Sequence, residues 1–322
     1  MLVTRRIPEN GIALLKSHFI VDVNERERDL LRGELRQKLS DVFGVVAVMA
    51  NKFDRKLISE LDSLRVISNF AVGYDNVDVG AATEKGIAVT NTPGVLTDAS
   101  ADLAFGLLLA VSRRIAEGDR LVRAEKFTGW TPMMMLGSDV SGKAIGIIGA
   151  GRIGTAVAKR AYGFGMKVFY FSHRRNDEID KSGGEFVGLE ELLRHADFIS
   201  LNVPLNEETR GLIGRKEISM MKDNAILINT ARGEIVDEDA LIVALKKGKV
   251  AGAGLDVYKN EPKVNRKLLK LNNVVLAPHL GSATLETRAK MAEMAALNAI
   301  AVLKCEKPPS IVNPEVMRGF AA

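Results

Sequence analysis

Along most of the 322-residue chain, short runs of β-branched and apolar residues alternate with segments whose apolar positions recur every three or four residues. That alternation is the pattern of βαβ units and a parallel sheet. It predicts a strand at Leu2 to Thr4, a helix from Pro8 to Ser17, a strand at Phe19 to Val23, a helix from Glu25 to Lys38, and strands at Val45 to Met49 and Val66 to Ser68. Thr97-Asp98-Ala99-Ser100 then reads as the cap of one long helix running through Phe127. One side of that helix is too apolar to be left in water, so it is expected to pack on a partner domain or a second subunit. From Lys143 the alternation resumes as AIGIIG, a helix from Ile153, KVFYF, GLEELLRH, FISLNV, AILIN, EDALIVALKKG, AGAGLDV and VVLAP. The last helix, Leu285 to Lys304, and the tail to Ala322 are too short to fold alone and return to the N-terminal unit. The expected fold is α/β, with two doubly wound parallel-sheet domains: 1–96 with 288–322, interrupted by 97–287.

Composition narrows the function classes. Hydrophobic residues at 47% and charged residues at 26% are ordinary for a globular protein, and a single cysteine, Cys305, forbids an internal disulfide framework. The opening MLVTRRIPEN carries no signal-peptide core, and the longest apolar-plus-Gly run, Leu103 to Val111, is too short to span a bilayer. A cytoplasmic location with no membrane partner is the expectation. Lys and Arg number 45 against 40 acids, a net +5, yet they are scattered among acids on helical faces. With four Tyr and one Trp for base stacking, a nucleic-acid partner is not expected.

Gly149-Ala150-Gly151-Arg152-Ile153-Gly154 lies between an apolar strand and an amphipathic helix. In that context the first Gly makes the tight turn, the second admits a pyrophosphate, and the third lets helix and strand pack closely. The helix N-terminus favours the anion. The inserted domain therefore reads as a Rossmann dinucleotide-binding domain, and the discontinuous one as a flavodoxin-like substrate-binding domain. An NAD site usually places an acid at the end of the second strand. Here the chain runs Ser172-His173-Arg174-Arg175, which points to NADP(H), with NAD(H) possible if the basic loop is merely exposed. Gly137 to Lys143 mimics a P-loop, but Ala144 replaces the Mg²⁺-binding hydroxyl and the segment precedes its strand.

Three later strands end in Arg232, in Glu261 after a short loop, and in His279. A cation to hold a carboxylate, a carboxylate to orient an acid, and an imidazole to protonate a developing alkoxide are the parts for reducing a 2-oxo acid without a metal. His18 and His195, near helix C-termini, read as carbonyl caps.

GAGRIGTAVAKRAYGFGMKV, LNVPLNEETRGLI, ILINTARGEIVDEDAL, AGAGLDVYKNEP and APHLGSAT, with NFAVGYDNVD and NTPGVLTDASAD upstream, make the chain similar to the D-2-hydroxyacid dehydrogenase family over nearly its whole length. The resemblance implies that Arg232 binds the substrate carboxylate and carbonyl, that Glu261 pairs with His279, and that His279 donates the proton as hydride reaches C2. It implies further cofactor contacts at Val203, Pro204, Thr209, Thr230, Ala231, Asp256 and Gly281, and substrate contacts at the backbone of Val72 and Gly73. GWTPMMMLGSDVSGK and the acid-free FSHRR most resemble glyoxylate and hydroxypyruvate reductases. In such enzymes the loop of Trp130 reaches towards a neighbouring subunit, so a homodimer through the cofactor domain is implied, with Trp130 either near substrate or in a greasy dimer contact. Other 2-oxo acid reductases of the family (2-ketogluconate, D-lactate, D-3-phosphoglycerate) share these motifs, as do corepressor-like dinucleotide sensors. The chain ends without room for a C-terminal regulatory domain, so serine feedback is not expected.

Overall fold

The computed structural model describes residues 1–319. It contains two parallel-sheet α/β units: residues 1–96 with the segment from Ser282 onward, and Thr97–Gly281. The chain leaves the second unit before the 287/288 crossing read from the sequence, because Ser100 Oγ donates to Gly281 O (3.1 Å) and Gly281 N–H donates to Asp256 Oδ2 (2.8 Å).

In the first unit, β1 (Leu2–Val3), α1 (Glu9–Lys16), β2 (Asp22–Val23), α2 (Arg32–Leu39), β3 (Gly44–Ala47), α3 (Arg55–Ser59), β4 (Val66–Asn69), α4 (Val79–Glu84) and β5 (Ala88–Thr90) build a five-stranded sheet of order β2-β1-β3-β4-β5. Leu2, Val45, Ala47, Ile67 and Val89 alternate onto the face covered by Leu35, Leu39, Leu57, Ile58 and Ala82. Ser68, on the opposite face, donates its hydroxyl to Ala295 O (2.8 Å) on the returning C-terminal helix. The helix expected over Glu25 to Lys38 begins only at Arg32. Its first half, NERERD, offers no apolar stripe and is spent on surface ion pairs such as Arg6–Glu25 (2.7 Å), Arg26–Glu34 (2.6 Å) and Arg28–Glu34 (2.6 Å).

The second unit starts with α5 (Thr97–Ser112) and α6 (Ile115–Arg123), followed by β6 (Ala144–Ile148), α7 (Arg152–Gly163), β7 (Lys167–Phe171), α8 (Asp177–Lys181), β8 (Glu185–Phe186), α9 (Leu189–His195), β9 (Phe198–Leu201), α10 (Arg215–Met220), β10 (Ala225–Asn229), α11 (Glu238–Lys247), β11 (Val250–Leu255) and β12 (Val274–Leu276). Two expectations fail here. The single long helix is broken where Arg114 turns left-handed (φ 53°), with its guanidinium on Glu117 (2.7 Å). Its apolar side packs on its own sheet, Ala101, Ala104, Phe105, Leu107 and Leu108 joining Ile145, Ile147 and Ile228 in one core. Strand order is β12-β11-β10-β9-β6-β7-β8, all parallel, so the direction of winding reverses between β6 and β9. Then α12 (Leu285–Leu303) returns to the first unit, where Gly11 of α1 lies so close to Ala292 that an added Cβ would sit 2.7 Å from it. No helix among the described residues is long and apolar enough to cross a membrane.

Candidate active site

Strand register decides which residues share the rim. Ile148, Leu201, Asn229, Leu255 and Leu276 are mutual partners across β6, β9, β10, β11 and β12, so the chain leaves all five strands at one level, their carboxyl ends. Ligands of open parallel sheets bind outside this edge, at the reversal of winding. There Gly149 has φ 97°, and a Cβ on it would lie 2.7 Å from the backbone of Asn202 after β9. A Cβ on Gly154 would lie 2.0 Å from Gly149 O, whereas one on Gly151 would meet nothing within 4 Å. The first and third glycines close the turn, and the second faces open space at the N-terminus of α7, beside Arg152 and Ile153. Asn202 Oδ1 nearby is buried and unpaired among the described residues. This cradle fits a dinucleotide pyrophosphate.

The basic loop after β7 divides its cations. Arg175 Nε donates to Asp180 Oδ2 (2.9 Å) and its guanidinium stacks on Phe186, whereas Arg174 is exposed, with no partner among the described residues. His173 lies 3.5 Å from Glu208, and Ser172 is half-buried at the strand end. Asn176, which the sequence reading passed over, ties this loop to the glycine turn: its Nδ2 donates to Ala150 O (2.8 Å) and Thr155 Oγ1 (2.8 Å). Its Oδ1 caps α8, and Asn before Asp-Glu is the helix-start signal that could have found it. Val203 and Pro204 follow β9, but the buried Thr209 hydroxyl donates to Pro204 O (2.6 Å) and so staples its own loop.

Three loops assemble around His279. Its N–H donates to Asp256 O (2.9 Å), its backbone is left-handed (φ 57°), and its Nδ1–H donates to Glu261 Oε2 (2.8 Å). Nε2 makes no hydrogen bond among the described residues. Glu261 Oε1 accepts the Tyr258 N–H (2.9 Å). Burial pushes the Glu261 carboxyl up, but the hydrogen bond and charge of His279, the Tyr258 N–H and the charge of Arg232 outweigh it, and the group titrates below the ordinary glutamate range. Burial pushes Tyr258 up to about 12, and its hydroxyl donates to Ala277 O (2.8 Å), which makes it a strut and no acid–base group.

Arg232 is aimed by Asn229, a buried residue that the sequence reading also missed. Its Nδ2 donates to Arg232 O (2.8 Å) and its Oδ1 accepts the Ala231 N–H (3.0 Å), shaping the turn through Thr230. A Cβ on Gly233 would lie 2.0 Å from the Tyr258 carbonyl carbon, so only glycine lets the Arg232 loop approach the Glu261 loop this closely. Asp256 is fully buried, and burial raises its pKa; its two oxygens accept the N–H groups of Leu280 (2.6 Å) and Gly281 (2.8 Å). Val72 and Gly73 lie in the first unit, partly exposed, and Trp130 is 77% exposed beyond α6. His195 Nδ1 meets Glu191 O (2.8 Å), as a cap should, whereas His18 instead sets its ring against Phe19.

A dinucleotide cradle sharing one rim with a Glu–His pair and an arginine defines a dehydrogenase of the Rossmann type. The chain belongs to the D-isomer specific 2-hydroxyacid dehydrogenase family, whose NAD-binding domain model matches residues 105–281. It is 52% identical to the glyoxylate reductase of Thermococcus litoralis over 98% of this chain and 97% of that protein. Among solved structures it resembles a glyoxylate reductase from Paecilomyes thermophila (TM-score 0.87, 36% identity, 98% of each chain covered). It also resembles the NADPH-dependent glyoxylate/hydroxypyruvate reductase of Sinorhizobium meliloti in complex with NADP and malonate (TM-score 0.86, 33% identity, 97% and 95% covered).

Proposed function

We propose that this D-2-hydroxyacid dehydrogenase is an NADPH-preferring reductase of small 2-oxo acids, with glyoxylate and hydroxypyruvate as first substrates. The observation that carries the proposal is the His279–Glu261 pair, with Nε2 of His279 making no hydrogen bond among the described residues, on the same rim as the glycine turn and Arg232. Gly149, Gly151, Arg152, Ile153 and Gly154 would hold the pyrophosphate, Ser172 and Arg174 the ribose phosphate, and Val203, Pro204, Thr230 and Ala231 the remaining edge of the dinucleotide. When bound, the reduced nicotinamide supplies a hydride to C2 of the substrate.

The protein's own part is charge and proton management. Arg232 meets the substrate carboxylate and carbonyl through its planar guanidinium, and the N–H groups of Val72 and Gly73 receive the carboxylate. Ionised Glu261 holds Nδ1–H, fixing the ring so that a proton on Nε2 is the one delivered to the developing alkoxide. Asp256 fastens Leu280 and Gly281, so the left-handed backbone of His279 is held from both sides. Exposed Ile115, Val122, Phe127, Trp130, Met133 and Leu136 supply the apolar surface for a homodimer.

Steady-state rates with NADPH and NADH against glyoxylate, hydroxypyruvate, 2-ketogluconate and pyruvate test the assignment. An NADH preference of about tenfold would overturn the cofactor reading, and 2-ketogluconate or pyruvate outrunning both small acids would overturn the substrate reading.

A further inference from the structure

Strand β4 ends at Asn69, and the chain bends through Phe70, Ala71 and Val72 before Asn76. Three successive carbonyls of this bend are held from within the first unit. The Thr92 N–H donates to Ala71 O (2.9 Å), Asn91 Nδ2 to Val72 O (2.8 Å), and Asn69 Nδ2 to Gly73 O (2.7 Å). In a planar trans peptide the carbonyl and the following N–H point in opposite directions. Anchoring these carbonyls therefore turns the N–H groups of Val72, Gly73 and Tyr74 away from the anchors. Among the described residues none of the three donates a hydrogen bond.

The two carboxamides are themselves locked. Asn69 is fully buried and exchanges amide hydrogen bonds with Asn76 (3.2 Å each way), whose Nδ2 also donates to Asn51 O (3.1 Å). Asn91 accepts the Ser310 hydroxyl on Oδ1 (2.7 Å), which obliges its Nδ2 to face Val72 O. A carboxamide suits this task because it donates to a carbonyl without bringing charge. An aspartate there would only accept, and would repel both the carbonyl and an anion beyond it.

We propose that Asn69 and Asn91 are positioning residues for the substrate: by gripping Gly73 O and Val72 O they aim the outward N–H groups of Val72, Gly73 and Tyr74 at the carboxylate of a 2-oxo acid. This rests on the proposed function and adds to it the device that sets the carboxylate seat. Successive backbone amides freed in this way form an anion-binding edge.

The test compares Asn69→Ala and Asn91→Ala with Asn313→Ala. Asn313 is another buried carboxamide of the same unit, which accepts the Val89 N–H and donates to Ile87 O without touching the bend. Readouts are KM and kcat for glyoxylate, calorimetric binding of oxalate to the NADPH-loaded enzyme, the dinucleotide Kd and Tm. Losing aim on a charge-assisted contact should raise the glyoxylate KM and the oxalate Kd together by about tenfold, with kcat changed less than about threefold and the dinucleotide Kd unmoved. Asn313→Ala should lower Tm and leave both constants alone. Unchanged oxalate binding in both bend variants, or an equal loss in Asn313→Ala, would overturn the proposal. The wild-type enzyme separates this from the parent reading. Oxalate binding that weakens in the variants supports the carboxylate seat even if no 2-oxo acid turns over, whereas a wild type that binds no oxalate overturns both.

Discussion

Replacing Glu261 by Gln changes one property of the site and little else. The amide keeps the size of the side chain, and its oxygen can still accept from His279 Nδ1–H, so the ring orientation survives. What disappears is a negative charge 2.8 Å from the imidazole. A charge-assisted hydrogen bond is worth about 1.5–3 kcal/mol. Both side chains are about one-third exposed, at 34% and 35%, so solvent screening reduces that to about 1–2 kcal/mol. One pH unit corresponds to about 1.36 kcal/mol, which makes the expected displacement about one unit.

The sign follows from which protonation state the carboxylate favours. In the proposed mechanism the charge of Glu261 favours the imidazolium that donates the proton in reduction, and the amide withdraws that support. The alkaline limb of kcat/KM for reduction should move about one unit towards acid, and the limb for oxidation, which needs the neutral ring, should move the same way. Because Glu261 titrates below the usual glutamate range, the wild-type pair stays intact through that range and fails only as pH drops through the lowered value. The assay is initial rates at constant ionic strength from about pH 5.5 to about 9 in both directions. A Glu261→Gln enzyme that loses activity while both limbs stay in place would refute the electrostatic role and leave Glu261 only a geometric one.

Four further outcomes are expected. Arg174→Ala should weaken NADPH binding about tenfold or more and leave NADH nearly unchanged in fluorescence titrations, whereas Arg175→Ala, losing Asp180 and Phe186, should disturb both cofactors. Gly233→Ala should lower stability by roughly 1–3 kcal/mol in denaturant unfolding, since its Cβ meets backbone at 2.0 Å. Asp256→Asn points an amide hydrogen at the Leu280 or Gly281 N–H and should cost roughly 1–3 kcal/mol, with kcat falling more than the dinucleotide Kd rises. Replacing Trp130 and Met133 together by Ser should shift sedimentation from dimer towards monomer; a wild-type monomer would remove the dimer reading.

The sheet strands with continuous apolar runs were legible in the sequence because burial on both faces writes itself as AIGII, FISL or AILIN. Two short edge strands were not: β8 is two residues and β5 three, and neither EF nor AVT is an apolar run long enough to mark a strand. The α5–α6 break was hidden because the helical period continues across Arg113-Arg114, and the turn is made by a left-handed arginine, a residue type that carries no turn signal. At the site, the charged and titratable candidates stood out at or after strand ends: Arg232, Glu261 and His279. Thr209 looked like a rim residue, but its hydroxyl is consumed within its own loop, a choice between near-equal partners that only the folded loop makes.

The residues that sequence reading missed share one chemistry. Asn229 grips Arg232 O and Ala231 N–H, Asn176 grips Ala150 O, and Asn69 and Asn91 grip Gly73 O and Val72 O. Asn229, Asn69 and Asn91 stand at or just beyond a strand end and Asn176 caps α8, places where asparagine is expected for turn-forming and capping reasons alone and so carries no functional signal. Yet the carboxyl edge of a parallel sheet is where the ladder stops and backbone groups lose their partners. A neutral side chain with one acceptor and two donor hydrogens can take over a carbonyl, an N–H or both without adding charge beside an anionic ligand. Arg232, proposed to meet the substrate, therefore rests on an uncharged residue that fixes the backbone beneath it, and the two kinds of residue leave very different traces in a sequence.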